Sequence, residues 1–298
     1  MSRSRKALTA AFGGFAPALA WTHPATAGAA TAPLPGSLEP WVVGALAISA
    51  VLYAIGIVRL WRHAGTGRGV RIGQAAAFVA GWLVVVIALA PPLDPLGARL
   101  FSAHMLQHEL LMTVAAPLLV VGRPLAVWAW ALSLGGRRAI GRFFHHPAWR
   151  IPWLALTAPL AAWGVHAAVL WLWHVPLLFD AALADEGLHA LQHTAFLGSA
   201  LLFWWSVLGA ATRMGQGIAL LSLFTTMVHT GALGALLTLA PTAWYAPYRS
   251  TAPALGWSPL EDQQLGGLLM WIPAGLIYAG CALRLAVDWL HDGVRPAL

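Results

Sequence analysis

Long apolar runs separated by short polar segments dominate the chain. Each run extends for about 20 residues, enough for an α-helix to cross the roughly 30 Å of hydrocarbon in a bilayer at about 1.5 Å per residue. The predicted spans cover residues 41–61, 72–93, 101–122, 151–173, 189–210, 216–240 and 264–287. The pattern therefore predicts an all-α, polytopic transmembrane helical bundle with about seven spans.

The composition indicates which kinds of molecule the chain contacts. Hydrophobic residues make up 59% of the chain and charged residues 9%, whereas soluble domains carry roughly 25% charged residues. The net charge of +7 arises from basic residues that lie between the apolar runs and form no nucleic-acid-binding motif. We therefore expect the lipid bilayer, and no nucleic acid, as a partner. Because Cys281 is the only cysteine, a metal must be held by histidine, methionine or carboxylate ligands.

The start of the chain resembles a secretory signal peptide. Residues 1–32 open with basic side chains, continue through a weakly apolar stretch and end in small residues. We expect a signal peptide there and a seven-helix membrane domain over residues 33–298. The alternative is an uncleaved N-terminal helix interrupted by Gly13, Gly14 and Pro17.

The distribution of Lys and Arg predicts the orientation. Twelve basic residues follow the first, third, fifth and seventh spans, whereas only Arg99 and Arg249 lie in the alternate loops. Positive charge is retained in the cytoplasm. We therefore expect the mature N-terminus outside and the C-terminus in the cytoplasm.

Two histidine pairs open the third and fifth spans. His104 and His108 are four residues apart, as are His189 and His193, and each pair encloses a Leu-Gln dipeptide. Residues four apart stack on one helical face, about 6 Å along the axis. His174 closes the fourth span at the same predicted level. These five histidines are the predicted metal ligands, in a layer near the outer boundary of the membrane.

Other interpretations of these polar residues remain open. A single buried histidine is commonly a structural hydrogen-bonding group, whereas two pairs together favour metal ligation. Imidazole suits copper, zinc and iron, and thioether sulfur would favour Cu(I). His166 and His229 lie deeper, and Glu109 either orients an imidazole or forms a structural hydrogen bond. The methionines within the spans, which are more often packing residues than ligands, are Met105, Met112, Met227 and Met270.

Several motifs in order along the chain resemble the CtaG-like cytochrome c oxidase assembly factors of bacteria. They are His104-Met-Leu-Gln-His108 running to Gly122-Arg123-Pro124, Trp173-His174-Val-Pro176, the His189/His193 helix ending in Phe203-Trp204-Trp205, and Asp262-Gln-Gln-Leu-Gly-Gly267 running to Met270-Trp-Ile-Pro273. The resemblance covers roughly residues 40–290. It implies a multi-pass protein of the bacterial plasma (inner) membrane that supports oxidase assembly by supplying copper.

Two of these motifs also have structural interpretations. Pro124 would end the third span and Arg123 would anchor it in the headgroups. Asp262 and Gln263 either complete the histidine site or cap the seventh span.

The combined expectation is a non-enzymatic assembly factor. It would hold copper on the outer side and pass it to a nascent cytochrome c oxidase subunit, with a possible copper donor protein as a further partner. The rival hypothesis is a membrane cytochrome with histidine-ligated haem. A zinc-dependent membrane hydrolase is less well supported, because the chain contains no His-Glu-x-x-His element.

Overall fold

The computed structural model describes residues 40–209 and 213–294, in which every regular element is helical. The predicted signal peptide at residues 1–32 lies outside the described residues and stays a prediction. The elements are α1 (Pro40–Ala64), α2 (Ile72–Leu89), α3 (Leu93–Gly97), α4 (Phe101–Glu109), a π-helical turn (Leu110–Ala115), α5 (Ala116–Val121), α6 (Pro124–Ala131), α7 (Leu134–His145), α8 (Pro147–Leu156), α9 (Pro159–Trp173), α10 (Pro176–Ala184), α11 (Glu186–Leu208), α12 (Arg213–Thr238), α13 (Tyr248–Thr251), a 3₁₀ turn (Pro253–Leu255) and α14 (Pro259–Val294).

The predicted all-α membrane fold is confirmed. By length and composition, five helical segments of the described residues can cross a membrane, and the bent pair α8–α9 makes a sixth if it is one span. Helix α11 corresponds to the remaining predicted span. Its 23 residues are long enough to cross, but buried polar side chains such as Gln192 and His193 make it less apolar than the others. The helix that departs most from a simple apolar span is thus one that carries a histidine pair.

The fourth predicted span is bent rather than continuous. Helices α8 and α9 meet at 67° across a break at Thr157 and Ala158. Ala158 has an extended backbone with ψ of 136°, the conformation that a following proline favours, and Pro159 begins α9. The proline therefore redirects the chain, and α9 ends at the level of the histidine pairs.

A π-helical turn interrupts the third span directly after His108 and Glu109. This turn, Leu110–Ala115, widens the helix and disturbs its regular hydrogen bonding. The indole N–H of Trp204 on α11 donates to the carbonyl oxygen of Met112 at 2.9 Å. The turn is thus tied to the helix that carries the second histidine pair.

The paired glycines of the seventh span allow close packing against two neighbours. A Cβ atom on Gly266 would collide with the ring of Phe101 at the start of α4. A Cβ atom on Gly267 would lie 2.7 Å from the carbonyl oxygen of Gly234 on α12. Only glycine therefore permits α14 to approach both helices.

Asp262 and Gln263 serve tertiary structure. The Asp262 carboxylate accepts hydrogen bonds from the backbone N–H of Phe101 at 2.7 Å and that of Ser102 at 3.1 Å, and from the Ser102 hydroxyl at 2.6 Å. Asp262 therefore caps α4, across 160 residues of sequence, rather than its own helix. The side-chain oxygen of Gln263 accepts from the backbone N–H of Trp244 at 2.6 Å. The prediction that Asp262 caps the seventh span is therefore wrong, because its carboxylate accepts from the first residues of α4 instead.

The Gly122-Arg123-Pro124 motif ends the third span. Arg123 adopts a left-handed backbone with φ of 52°, and Pro124 starts α6. The Tyr53 hydroxyl donates to the Gly122 carbonyl oxygen at 2.8 Å. These contacts agree with the structural interpretation of the motif.

Candidate metal centre

Two histidine pairs face each other across the interface between α4 and α11. Within the pairs, the ring centroids are 4.4 Å apart for His104 and His108 and 4.3 Å apart for His189 and His193. Across the interface, His104 lies 5.2 Å from His189, and His108 lies 5.3 Å from His193. Four imidazoles from two helices therefore form one compact block.

His174 joins this block from a third helix. It follows the last residue of α9, and its ring centroid lies 6.1 Å from that of His108. The structure thus brings all five sequence-predicted residues together. Their role as metal ligands stays a prediction.

Three of the five histidines can address a single ion. One ring nitrogen each from His104, His189 and His193 lies within 4.8 Å of the other two. Two nitrogens bound to one metal at about 2.0–2.1 Å can be no more than roughly 4 Å apart. Small side-chain rotations therefore suffice to bring the three onto one ion. Within the described part of the chain, this group includes neither His108 nor His174.

Tyr248 orients the His104 ring. Its hydroxyl donates to the carbonyl oxygen of Gly97 at 2.9 Å and lies 3.1 Å from Nδ1 of His104. Since a hydroxyl has one proton to donate, Nδ1 must carry the hydrogen and donate it to the tyrosine oxygen. Burial raises the pKa of Tyr248 well above its ordinary value, so the hydroxyl keeps its proton. Nε2 of His104 is left with a free lone pair, as a metal ligand requires.

The backbone fixes the His174 ring in the same way. Nδ1 lies 2.7 Å from the carbonyl oxygen of Leu170, which can only accept, so Nδ1 carries the hydrogen. The carbonyl of His174 itself accepts from the Tyr245 hydroxyl at 2.9 Å. Nε2 of His174 is therefore also presented as a lone pair.

Most of the cluster is shielded from solvent. The exposed fractions are 0% for His104, 1% for His108, 3% for His174 and 8% for His193, and His189 is half-buried. Nε2 of every one of these five rings lacks a protein hydrogen-bond partner, as does Nδ1 of His108. Buried polar groups normally find partners. This layer therefore contains several buried ring nitrogens whose hydrogen-bonding capacity the described residues do not use.

A cavity of about 570 Å³ connects the cluster to its surroundings. His189 and His193 line it, with the carboxylates of Asp94 and Glu186 near the same end. The rest of its wall is mostly apolar and includes Trp82 of α2. On the opposite side, aromatic rings close the cluster, since Phe179 lies 4.9 Å from His104 and Phe196 lies 4.3 Å from His108. Access is therefore from the α11 side.

Sequence reasoning missed Tyr248 and Asp94. Asp94 accepts from the amide of Gln107 at 3.2 Å and lines the same cavity as His189. Gln107 also donates to the carbonyl oxygen of Ala88 at 2.8 Å. Gln107, whose counterpart in the second histidine motif is Gln192, was the one residue in the sequence that could have indicated a polar partner such as Asp94. Tyr248 lies 144 residues from His104 in sequence, and no local pattern indicates the contact.

The deeper histidines lie outside the cluster. Nδ1 of His166 is 3.0 Å from the Ser199 hydroxyl, which donates to the carbonyl oxygen of Phe196 at 3.2 Å. His229 packs against Trp163, with ring centroids 6.0 Å apart. Neither belongs to the group of three that can share an ion, within the described residues.

The methionines pack in the apolar core, and the role of Glu109 stays open. Met105, Met112 and Met270 are buried in the main core cluster, and Met227 packs against it. Glu109 is buried, and its Oε2 has no hydrogen-bond partner among the described residues. Packing therefore accounts for the methionines.

The fold and the cluster define a class of protein: a polytopic helical membrane protein with a buried, histidine-only candidate metal site. The sequence matches the family described as cytochrome c oxidase caa3 assembly factor (Caa3_CtaG) over residues 51–292. The chain belongs to this family. The length and apolar composition of its helices make it a membrane protein.

Three mycobacterial relatives share the membrane domain. Uncharacterized proteins of Mycobacterium bovis and Mycobacterium tuberculosis are each 27% identical over 263 residues, which cover 84% of this chain and 38% of theirs. An uncharacterized protein of Mycobacterium leprae is 26% identical over 271 residues, which cover 86% of this chain and 40% of that protein. The chain thus spans about two fifths of the length of these relatives. No solved structure matches it.

Proposed function

We propose that this protein binds copper at the histidine cluster, on the outer face of the bacterial plasma membrane, and helps to insert it into a nascent cytochrome c oxidase subunit. Family membership supports the assembly role. The observation that carries the copper assignment is the convergence of five mostly buried imidazoles, each with an unpartnered Nε2.

The donor chemistry favours copper. The cluster offers imidazole nitrogen only, which suits copper, zinc and iron and disfavours magnesium and calcium, whose ligands are oxygen. Structural zinc almost always has four protein ligands, whereas the group here offers three. Cuprous ion accepts lower coordination numbers and carries a single charge, which costs less to bury.

Ring spacing supports copper over haem. Two axial imidazoles must lie on opposite faces of a porphyrin, with the macrocycle between them. The centroids of His104 and His189 are 5.2 Å apart, and Phe179 packs against His104 on its other side. These contacts leave no slot for a macrocycle between the two rings.

The predicted topology supports an outer location. The histidines lie at the ends of α4, α9 and α11 that face away from the loops rich in Arg. With the N-terminus outside and the C-terminus in the cytoplasm, this layer faces the compartment from which a copper donor protein would deliver the ion. The cavity beside His189 is the route by which the ion would reach the cluster.

The proposed role is to bind and transfer copper without catalysis. The buried cluster contains imidazoles and aromatic rings, with no serine or cysteine nucleophile among the five histidines and their ring contacts. Binding and release of an ion by neutral imidazoles account for the arrangement.

Deletion and complementation test this function. We expect deletion to lower oxidase activity and copper loading, and added copper to restore both in part. Complementation with the full chain should restore both, whereas a chain with either histidine pair replaced by alanine should insert into the membrane and fail to do so.

The matched control replaces two exposed histidines. His145 ends α7 and His146 directly precedes α8, away from the cluster. Their alanine variants should therefore complement fully. Unchanged oxidase activity and copper loading in a verified deletion strain would remove the proposal. A haem absorption band in the purified protein would instead support the rival hypothesis, in which the histidines bind haem.

A further inference from the structure

The five histidines divide into two groups by geometry. His104, His189 and His193 place three nitrogens within 4.8 Å of one another, and two of these rings line the cavity. His108 and His174 are left as a fully buried pair behind them, with ring centroids 6.1 Å apart. Because the nitrogens of His108 and His174 do not join the group within 4.8 Å, one ion bound by the first three histidines would leave these two without a metal.

Among the five histidines of the cluster, His108 alone has both ring nitrogens buried without a protein partner. A neutral imidazole always has one donor and one acceptor nitrogen, so a structural role would leave both unsatisfied. Its neighbours are rings: His104, His193, His174 and Phe196. A metal ion would occupy the acceptor nitrogen in a place where no protein group does.

His174 presents the complementary nitrogen. Donation from Nδ1 to the Leu170 carbonyl leaves Nε2 as its only available lone pair. Two metal–nitrogen bonds of about 2.0 Å each fit between rings whose centroids are 6.1 Å apart. The fixed tautomer of His174 therefore makes its Nε2 available as one of the two ligands of a two-coordinate ion.

We propose that the cluster holds two cuprous ions at separate positions. The access position consists of His104, His189 and His193, next to the cavity, and the inner position consists of His108 and His174. This inference rests on the proposed copper function and adds to it the number and arrangement of the ions. Both ions enter and leave as Cu(I), so no electron transfer is required.

The arrangement sets the order in which an ion would reach the two positions. Copper arrives through the cavity at the half-buried His189, and Asp94 also lines this cavity. His108 is four residues from His104, one helical turn along α4, and shares ring contacts with His193. An ion therefore passes from the access position to the inner one by exchanging imidazoles in contact with one another.

Metal stoichiometry tests the proposal. The purified full chain is loaded anaerobically with Cu(I), freed of excess metal and analysed by mass spectrometry for copper per chain. We expect two ions in the unaltered protein. His108→Ala with His174→Ala should leave one ion, bound by three nitrogens in X-ray absorption spectra. His189→Ala with His193→Ala should leave one ion bound by two nitrogens.

A buried histidine outside the cluster supplies the matched control. His166 lies on α9, the helix that His174 follows, and His166→Ala should keep both ions. If an alanine variant fails to fold by circular dichroism, the asparagine variant at the same position is measured instead.

The outcomes separate the two proposals. One ion in the unaltered chain, lost in either double variant, would overturn the two positions and keep the copper function. Loss of an ion in His166→Ala would place the second position elsewhere and also overturn the inference. No copper in the unaltered chain would overturn the proposed function itself.

Discussion

Replacing Tyr248 by phenylalanine tests whether the tautomer of His104 controls metal affinity. The hydroxyl accepts the Nδ1 hydrogen of His104 at 3.1 Å and donates to the Gly97 carbonyl at 2.9 Å. Its removal leaves the ring free to exchange its tautomer and to rotate. Loss of a group that orients a metal-ligating histidine typically costs about 10–100-fold in affinity, or roughly 1.4–2.8 kcal/mol.

The same substitution also removes a buried hydrogen bond, so stability must be measured separately. Leaving the Gly97 carbonyl and the His104 Nδ1–H without a partner costs about 1–3 kcal/mol per group. We therefore expect Tyr248→Phe to lower the thermal unfolding temperature of the purified protein as well as its Cu(I) affinity, measured by competition with a chelator of known affinity.

Tyr245 provides a control with nearly the same surroundings. It is equally buried, packs on Phe101 and Phe179 as Tyr248 does, and donates at 2.9 Å to the backbone carbonyl of His174 rather than to a ring. Tyr245→Phe should lower stability by a similar amount and change copper affinity little. Equal Cu(I) affinities for the two variants would refute the argument that Tyr248 acts through the His104 ring.

Three further predictions concern stability, pH and topology. Asp262→Ala should lower the unfolding temperature, at a cost of about 0.5–2 kcal/mol for a lost helix cap; an unchanged unfolding temperature would contradict the capping role. Copper affinity, measured by chelator competition, should fall as the pH is lowered, because protons compete for the ligating nitrogens; pH-independent affinity would count against imidazole ligands. A C-terminal reporter active only outside the cytoplasm should stay silent, and strong activity would reverse the predicted orientation.

The amino-acid sequence determined the features that depend on local spacing. Apolar runs predicted an all-α membrane protein, and this was confirmed because crossing hydrocarbon requires length and apolarity, which are local properties. Four-residue spacing placed each histidine pair on one helical face for the same reason. The motifs from His104 to Met270 indicated the family, which the match over residues 51–292 confirmed.

The tertiary structure decided what depends on contacts distant in sequence. The π-helical turn after Glu109 was not expected, because the contact that ties it to α11 is distant in sequence. The bend between α8 and α9 was also not expected, although Pro159 was a local signal for it. Asp262 caps α4 rather than its own helix, a choice that only the close approach of α14 and α4 makes possible.

The division of the histidines was also a tertiary outcome. Sequence spacing placed five imidazoles in one layer, but it gave no information on how far apart their nitrogens would lie. The packing of α4, α9 and α11 grouped His104 with His189 and His193 and left His108 facing His174. Local periodicity fixes the face of a helix, whereas the distance between side chains on different helices follows only from how those helices pack.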